Sequence, residues 1–194
     1  RSRRATPIAQ DRGQVVLFND TFMNYNYPSI GIAATKLLER AGFKVLLVDR
    51  KCCGRPMISK GFLDMARENA RYNVQLLHPY VAQGAYIVGC EPSCLLTLRD
   101  EYPDLLGSPE AKAVAGKALL LEEFLQMLQQ SGRLALEFKE TPKKLLYHGH
   151  CHAKALVGTA PALAALRLVP GFQVEEVDAG CCGMAGAFGY EKEH

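Results

Sequence analysis

Two stretches of the chain share one pattern: KVLLVDRKCCG at residues 44–54 and QVEEVDAGCCG at residues 173–183. Each begins with the apolar residues of a short β-strand and ends in two adjacent cysteines followed by glycine. Random placement of the cysteines would give about 0.2 adjacent pairs in the whole chain, whereas the sequence contains two. The pattern therefore predicts, in each half of the chain, a strand that leads into a Cys-Cys-Gly loop.

The similarity extends along the chain as an internal repeat with a shift of 129 residues. The run VLF at 16–18 falls on LLY at 145–147, and Gly42–Phe43 falls on Gly171–Phe172. Cys151, which precedes the second Cys-Cys-Gly, falls on Phe22. Each unit is therefore predicted to run strand, loop, helix, strand and Cys-Cys-Gly loop.

Hydrophobic periodicity predicts an α/β fold. Strands are predicted at 15–18, 44–48, 85–88, 144–147 and 173–177. Helices are predicted at 30–40, 61–83, 118–130 and 151–166, and Pro92 suits the first turn of a further helix after Cys90. Because strands alternate with helices, we expect parallel-sheet segments covered by helices, in two repeated units of which the second is truncated.

The repeat also divides the chain into segments. We predict a linker at 1–13, a first Cys-Cys-Gly unit at 14–106, a connecting helical segment at 107–143 and a second unit at 144–194. The counterparts of Cys90 and Cys94 in the second unit would fall at positions 219 and 223, beyond residue 194. We therefore expect the second unit to be incomplete and the sequence to be part of a longer chain.

The cysteines are predicted to bind metal. A disulfide between adjacent cysteines would be strained, because consecutive Cα atoms lie only about 3.8 Å apart. Soft thiolates suit zinc or an iron–sulfur cluster, and the carboxyl ends of parallel strands are where such sites form. The glycine of each motif, including Gly183, would let backbone N–H groups approach a cluster. The predicted ligands form two sets, the first of Cys52, Cys53, Cys90 and Cys94 and the second of Cys151, Cys181 and Cys182.

Other side chains near the cysteines have both a functional and a structural interpretation. His148, His150 and His152 flank Cys151 and would act as ligands, support a cluster through hydrogen bonds, or bond the turn. Arg55 and Arg99 would stabilise anionic sulfur or form ordinary ion pairs, and Asp49 and Asp178 would cap their loops. His78 is expected on a helix surface or as a cap. The small residues at 184–189 would let the backbone pass close to a cluster or form a flexible connection.

Composition excludes several classes of protein. The 194 residues are 48% hydrophobic and 22% charged, which excludes a disordered chain and a coiled coil. A net charge of +3 is too small and too scattered to indicate nucleic-acid binding. No apolar run approaches the roughly 20 residues of a membrane-spanning helix. Cysteine use of this kind indicates a reducing compartment, so we expect the cytoplasm or the inner face of the membrane.

The cysteines follow a doubled pattern. A lone cysteine is followed about thirty residues later by Cys-Cys-Gly, and a cysteine pair comes about thirty-five residues further on. In this pattern the chain resembles the cysteine-rich CCG domain family. That family includes iron–sulfur proteins of the heterodisulfide reductase, glycolate oxidase and anaerobic glycerol-3-phosphate dehydrogenase complexes. The stretches NDTFMNY, KCCGRPMISKG, EPSCLLTLRDEYPDL and AGCCGMAGAFGYEKEH resemble more closely the C-terminal part of FAD-linked D-lactate-type dehydrogenases. The resemblance covers residues 14–194.

This resemblance implies an electron-transfer module of a flavin-linked D-2-hydroxy-acid dehydrogenase. Electrons would pass from FAD on another segment or subunit, through a ferredoxin-like segment, to an iron–sulfur cluster of the 4Fe–4S type here. A quinone or a cytochrome would accept them, and the chain alone is not expected to be active. The resemblance matches the seven cysteines to the two sets given above.

The sequence also departs from the family pattern. Phe22 stands where the first unit of the family has its lead cysteine, so the first site would hold zinc, a different cluster or no metal. The working cluster is accordingly expected in the second unit. The alternatives are a cluster that itself reduces a disulfide, and a zinc-stabilised scaffold without redox chemistry.

Overall fold

The computed structural model describes residues 12–180 together with residues 183, 189 and 192. The described elements are numbered in chain order. The strands are β1 (Gln14–Leu17), β2 (Lys44–Leu46), β3 (Tyr86–Gly89), β4 (Ala118–Leu120), β5 (Lys143–Tyr147) and β6 (Phe172–Glu176). The helices are α1 (Thr21–Tyr25), α2 (Pro28–Arg40), α3 (Arg55–Ser59), α4 (Leu63–Ala82), α5 (Pro92–Arg99), α6 (Glu101–Leu106), α7 (Pro109–Ala115), α8 (Leu121–Gln130), α9 (Cys151–Leu156) and α10 (Ala160–Leu166).

Four strands form one parallel sheet in the order β2-β1-β3-β4. Val15 on β1 pairs with Val45 on one side and with Tyr86 on the other, so β1 lies inside the sheet. Parallel sheets are stable when helices cover both faces. The expected α/β fold with a parallel sheet is confirmed.

Successive residues of the central strands face opposite sides of this sheet, as the pleat requires. Val16 and Ile87 belong to the core beneath α4, α5 and α7. Val15 and Val88 belong to the core beneath α2 and α8. Both cores are closed to solvent, and burying a side chain of this kind contributes about 1.5–3 kcal/mol. The sheet is therefore the rigid platform on which the cysteine loops stand.

A second parallel pair, β5 and β6, lies in the later part of the chain, where Leu145 pairs with Val174. Its strands are less buried, and Leu146 is 75% exposed. Helix α9 packs on α5, and α10 packs on α8. Ala153 of α9 is buried in the same core as the strands of the first sheet. The second part of the chain is thus packed directly against the first.

Three predicted elements differ from the observed ones. The predicted helix at 118–130 was wrong for its first three residues, because 118–120 pairs with β3 as the edge strand β4. The predicted helix at 151–166 is two helices, separated at Gly158, whose φ of +83° does not fit a helix. The predicted helix at 61–83 begins at Leu63, since Gly61 also has a positive φ.

The internal repeat itself stays a prediction, and the predicted linker lies outside the described residues except at 12 and 13. In the part of the chain that the structure describes, no helix combines the length and apolar composition needed to cross a membrane.

Candidate metal centre

The cysteine loops of the first unit lie at the carboxyl end of the parallel sheet. Cys52 and Cys53 follow β2 after a short connection, and Cys90 follows β3 directly. Cys94 lies in the first turn of α5, which begins at Pro92 and is capped by the side chain of Glu91. Loops at this edge of a parallel sheet converge, which is why binding sites form there.

Three of the four cysteines of the first predicted set are neighbours, with Cys52 beside Cys53 and Cys53 beside Cys94, but their three sulfurs do not all lie within 4.8 Å of one another. The thiols of Cys52 and Cys53 shift each other's pKa, and so do those of Cys53 and Cys94. The backbone N–H of Gly54 lowers the pKa of the Cys52 thiol, and that of Arg55 lowers the pKa of the Cys53 thiol. Cys53 and Cys94 are buried and Cys52 is half-buried. The Cys-Cys-Gly loop therefore lies beside Cys94, with the backbone N–H groups of Gly54 and Arg55 next to Cys52 and Cys53.

The surroundings keep these thiols protonated in the absence of metal. The hydrogen bond with Cys53, followed by burial, raises the pKa of Cys52. The bond from Cys52 lowers the pKa of Cys53, but the bond to Cys94 and burial outweigh it and raise that pKa to about 12. A cation that replaced these protons would remove the cost of burying thiolates, and metal binding to such a site releases protons.

Cys90, the fourth member of the first predicted set, has different neighbours. It packs against the core beneath α2 and α8, whereas Cys53 and Cys94 belong to the core on the other face of the sheet. Burial, together with the charges of Glu122 and Asp20, raises the pKa of the Cys90 thiol to about 12. The structure does not bring Cys90 into the group of three, so its role as a ligand stays a prediction.

The second predicted set is described only in part. Cys151 is exposed at the first position of α9. Cys181 and Cys182 lie outside the described residues, as do residues 184–188 of the small-residue stretch. Gly183 is described and has a φ of +82°. Nε2 of His148 lies 3.0 Å from the carbonyl oxygen of Gly180, so His148 contacts the segment that precedes the second Cys-Cys-Gly.

The two histidines beside Cys151 contact the cysteine loops of the first unit. Nε2 of His150 lies 3.9 Å from a carboxylate oxygen of Glu91, the residue after Cys90. Nε2 of His152 lies 3.0 Å from the guanidinium of Arg55, which also pairs with Glu101. Burial, and then the charge of Arg55, lowers the pKa of His152. Both contacts place the start of α9 beside the first Cys-Cys-Gly loop.

Asp100, Glu101 and His152 are a second cluster of potential ligands. Their ligand atoms all lie within 4.8 Å of one another, the one such group among the residues described. The Arg55 guanidinium already lies against Glu101 and His152. The cluster therefore has its cation and is an ion-pair network. The three thiols do not reach that mutual spacing, but thiolates are the donors that suit a soft metal ion or an iron–sulfur cluster.

The other predicted candidates have structural surroundings. Arg99 pairs with Glu123, its nitrogen lying 2.8 and 3.0 Å from the two carboxylate oxygens. Asp49 is exposed, and its carbonyl accepts a hydrogen bond from Tyr72. His78 is half-buried within α4, and Asp178 is exposed. These four side chains do not join the group of thiols.

Two residues that the sequence analysis did not select hold the loop. Asn73 of α4 and Tyr102 of α6 are fully buried, and both bond to the backbone of residues 51–53. Asn73 lies between Ala70, Val74 and Leu77 on the buried face of its helix. A polar residue on an otherwise apolar helix face was the signal that could have identified it.

Comparison with known proteins gives one family match. The model of the family described as "Cysteine-rich domain" (CCG) matches residues 16–99. The match includes the first Cys-Cys-Gly and the Cys90–Cys94 loop. It ends before Cys151. No solved structure matches the chain.

Curated relatives extend the similarity to nearly the whole chain. One subunit of the anaerobic glycerol-3-phosphate dehydrogenase of Escherichia coli (strain K12) is 36% identical over 98% of this chain and 48% of its own length. Lactate utilization protein A of Exiguobacterium sp. (strain ATCC BAA-1283 / AT1b) is 30% identical over 90% of this chain and 72% of its own length. D-2-hydroxyglutarate dehydrogenase of Escherichia coli (strain K12) is 30% identical over 93% of this chain but only 17% of its own length.

Proposed function

The chain belongs to the cysteine-rich CCG domain family, and from this premise we propose that it is an iron–sulfur electron-transfer module of a flavin-linked oxidoreductase. The relatives named above include two dehydrogenases and a lactate utilization protein, so a 2-hydroxy acid or a polyol phosphate is the class of electron donor. The chain spans about half (48%) of the length of the glycerol-3-phosphate dehydrogenase subunit, so the donor is recognised elsewhere in this proposal.

The observation that carries the proposal is the placement of three neighbouring cysteines, on two loops, at the carboxyl end of the sheet. Cys52, Cys53 and Cys94 would provide soft ligands, and the N–H groups of Gly54 and Arg55 lower the pKa of the Cys52 and Cys53 thiols. Hydrogen bonds to sulfur and restricted solvent access are the means by which proteins adjust the potential of an iron–sulfur cluster.

We propose two sites, in keeping with the predicted repeat. The first uses Cys52, Cys53 and Cys94, with Cys90 as a further predicted ligand and zinc as an alternative occupant. The second uses Cys151, Cys181 and Cys182, with Gly183 beside them. The repeat is supported by strands β5 and β6, which follow β1 and β2 at the predicted shift and are also parallel. The pairing register differs by one residue, since Gln14 faces Lys44 whereas Lys143 faces Phe172.

A bound cluster would supply one-electron redox chemistry. The residues of the chain would hold and insulate it. Cys53 and Cys94 are buried, which limits access of water and oxidants to their side of the site. The amides of Gly54 and Arg55 would stabilise the added negative charge when an electron arrives, because N–H groups are favourably oriented toward anionic sulfur.

The remaining partners are part of the same proposal. FAD would lie on another segment or subunit, a ferredoxin-like segment would deliver single electrons, and a quinone or cytochrome would take them. Free thiols of this kind suit a reducing compartment, so we place the protein in the cytoplasm or at the inner face of the membrane.

The test is metal analysis of the anaerobically purified chain. We expect iron and acid-labile sulfide, with an EPR signal that appears or disappears on reduction with dithionite and is reversed by a soluble ubiquinone analogue. Cys94→Ser should reduce the iron content of the first site, and Cys182→Ser that of the second. Ser93→Ala, one residue from Cys94 in the same helical turn, is the matched control and should change neither.

Two results would overturn the proposal. Stoichiometric zinc without iron would indicate the structural scaffold instead. Iron that is present but reoxidised by a disulfide and not by the quinone analogue would indicate disulfide reduction at the cluster.

A further inference from the structure

Two buried polar side chains hold the Cys-Cys-Gly loop of the first unit on the side that faces the core. Asn73 and Tyr102 are fully closed to solvent. Their surroundings are apolar, since Ala70, Val74 and Leu77 are buried on the same side. An unpaired amide or hydroxyl in such surroundings would cost free energy, so their hydrogen-bond partners explain why polar groups stand there.

All their hydrogen bonds outside the pair go to the loop. Oδ1 of Asn73 accepts the N–H of Lys51 at 2.8 Å, and Nδ2 donates to the Lys51 carbonyl at 3.1 Å. A longer contact of 3.4 Å joins Nδ2 to the carbonyl of Cys52. Nδ2 also donates to the Tyr102 oxygen at 2.9 Å, and the Tyr102 hydroxyl donates to the Cys53 carbonyl at 3.0 Å. The two side chains therefore bond the carbonyl groups of Lys51 and Cys53, and the carbonyl of Cys52 between them lies within 3.4 Å of Nδ2.

Because these carbonyl groups are held toward the core, the backbone N–H groups that follow them in the loop are also fixed in direction. After Cys53 the chain turns at Gly54, whose φ is +93°. The N–H groups of Gly54 and Arg55 follow at this turn and lower the pKa of the Cys52 and Cys53 thiols. The loop geometry therefore depends on atoms that belong to α4 and α6.

We propose that Asn73 and Tyr102 are positioning residues that hold the Cys-Cys-Gly loop ready for metal before any metal binds. The inference rests on the proposed function, because it concerns the same site, but it assigns to these two side chains a role of their own. They act through the backbone of residues 51–53.

The test compares hydroxyl deletions in the reduced, metal-free chain. Tyr102→Phe keeps the ring in the core and removes the bond to Cys53. We expect its affinity for Co²⁺, followed through thiolate-to-cobalt absorption, to fall about 10- to 100-fold, the usual loss when a group that orients a ligand is removed. Tyr86→Phe is the matched control, because Tyr86 is half-buried in β3 with its ring against Phe124. Its Co²⁺ affinity should not change.

A second readout needs no metal. Hydrogen exchange of the Gly54 and Arg55 amides should quicken in Tyr102→Phe and stay slow in Tyr86→Phe. Leu38→Ala lies in the core on the other face of the sheet and serves as a general destabilisation control. It should lower stability without a selective increase in exchange at the loop.

The outcomes separate the two proposals. Unchanged Co²⁺ affinity and unchanged loop exchange in Tyr102→Phe would overturn the positioning role while the metal site stands. If the unaltered chain bound no Co²⁺, the proposed site would fail, and the exchange measurement would still decide whether the two side chains hold the loop. Asn73→Ala, which leaves several loop groups without partners, should show a larger effect of the same kind.

Discussion

Gly54 has a backbone conformation on which the direction of the amide donors depends. Its φ of +93° lies in a region that L-residues rarely adopt. A Cβ there would meet Ala66 at 3.4–3.6 Å, an ordinary contact, so the penalty for substitution comes from the backbone. We predict that Gly54→Ala lowers the free energy of unfolding by about 1–2 kcal/mol, measured by urea denaturation of the metal-free chain.

Gly116→Ala is the control for this substitution. Gly116 has a φ of −67° at the end of α7, where alanine is tolerated and loses less conformational entropy. Its variant should be neutral or slightly stabilised. Equal losses at both positions would show that Gly54 has no special backbone requirement.

Glu122 gives a prediction that depends on pH. Burial raises the pKa of its carboxyl, so the folded chain keeps this proton to a higher pH than the unfolded chain does. The stability linked to that proton is fully present below the ordinary pKa of 4.5 and is lost as the pH rises through the raised pKa. Glu122→Gln should therefore increase the free energy of unfolding at pH 7 relative to the unaltered chain and give no such gain at pH 4.

Glu110 provides a comparison of opposite sign. Hydrogen bonds from its own backbone N–H and from Ser108 lower the pKa of its carboxyl. Its contribution is present above the ordinary pKa and is lost as the pH falls through the lowered value. Glu110→Gln should thus be slightly less stable than the unaltered chain at pH 7. Urea unfolding at both pH values checks the pair, and the same pH trend in both variants would contradict the assignment.

At the scale of elements, helix α5 determines where Cys94 lies. The Glu91 side chain accepts the N–H of Cys94 and so caps this helix. We predict that Glu91→Ala lowers the free energy of unfolding by about 1 kcal/mol, because one N-terminal amide loses its partner. Ser108→Ala, which removes the cap of α7 far from the cysteines, should cost a similar amount.

Metal binding distinguishes these two caps. Loss of the Glu91 cap should also weaken Co²⁺ binding, since it loosens the turn that carries Cys94, whereas Ser108→Ala should not. Equal Co²⁺ affinities in the two variants would show that the cap of α5 serves helix stability alone.

Elements whose apolar pattern has one interpretation were predicted from the sequence. Strands β1, β2 and β3 and helix α2 lie within a few residues of their predicted positions, because each combines a clear period with a Gly or Pro boundary. The run ALLLEEFLQMLQQ at 118–130 has two interpretations. Its first residues fit a helix or a buried strand, and the hydrogen bonds to β3, which no local pattern encodes, decide for the strand.

The candidate site was predictable in part for a similar reason. Sequence places Cys52, Cys53 and Cys94 on neighbouring strand-end loops, and parallel topology brings those loops together. Cys90 illustrates the limit, because β3 ends at Gly89 and Cys90 lies toward the other face of the sheet. Asn73 is separated from the loop by about twenty residues, so its bonds follow from the packing of α4 rather than from any motif.

At the scale of the whole molecule, an ion-pair network joins the two parts of the chain. Arg55 of α3 pairs with Glu101 of α6 and contacts His152 of α9. The Arg55 and Glu101 side chains are 24% and 19% exposed, so the pair is neither a surface bridge nor a fully buried one. Burial raises the pKa of Glu101 and Arg55 opposes that shift, which means that the carboxylate depends on its cation.

A double-mutant cycle tests this dependence. We predict that Arg55→Gln lowers the free energy of unfolding by about 1–2 kcal/mol, because it leaves Glu101 half-buried without a cation. Adding Glu101→Gln should recover part of that loss, since the uncompensated carboxylate is then gone. Hydrogen exchange in α9 should quicken in Arg55→Gln, because His152 loses its contact with the first part of the chain.

Arg99→Gln with Glu123→Gln is the matched cycle, since that pair joins α5 to α8 and does not contact α9. If the effects of Arg55→Gln and Glu101→Gln simply add and exchange in α9 is unchanged, the network does not join the two parts, and other contacts, such as the burial of Ala153, hold α9 against α5.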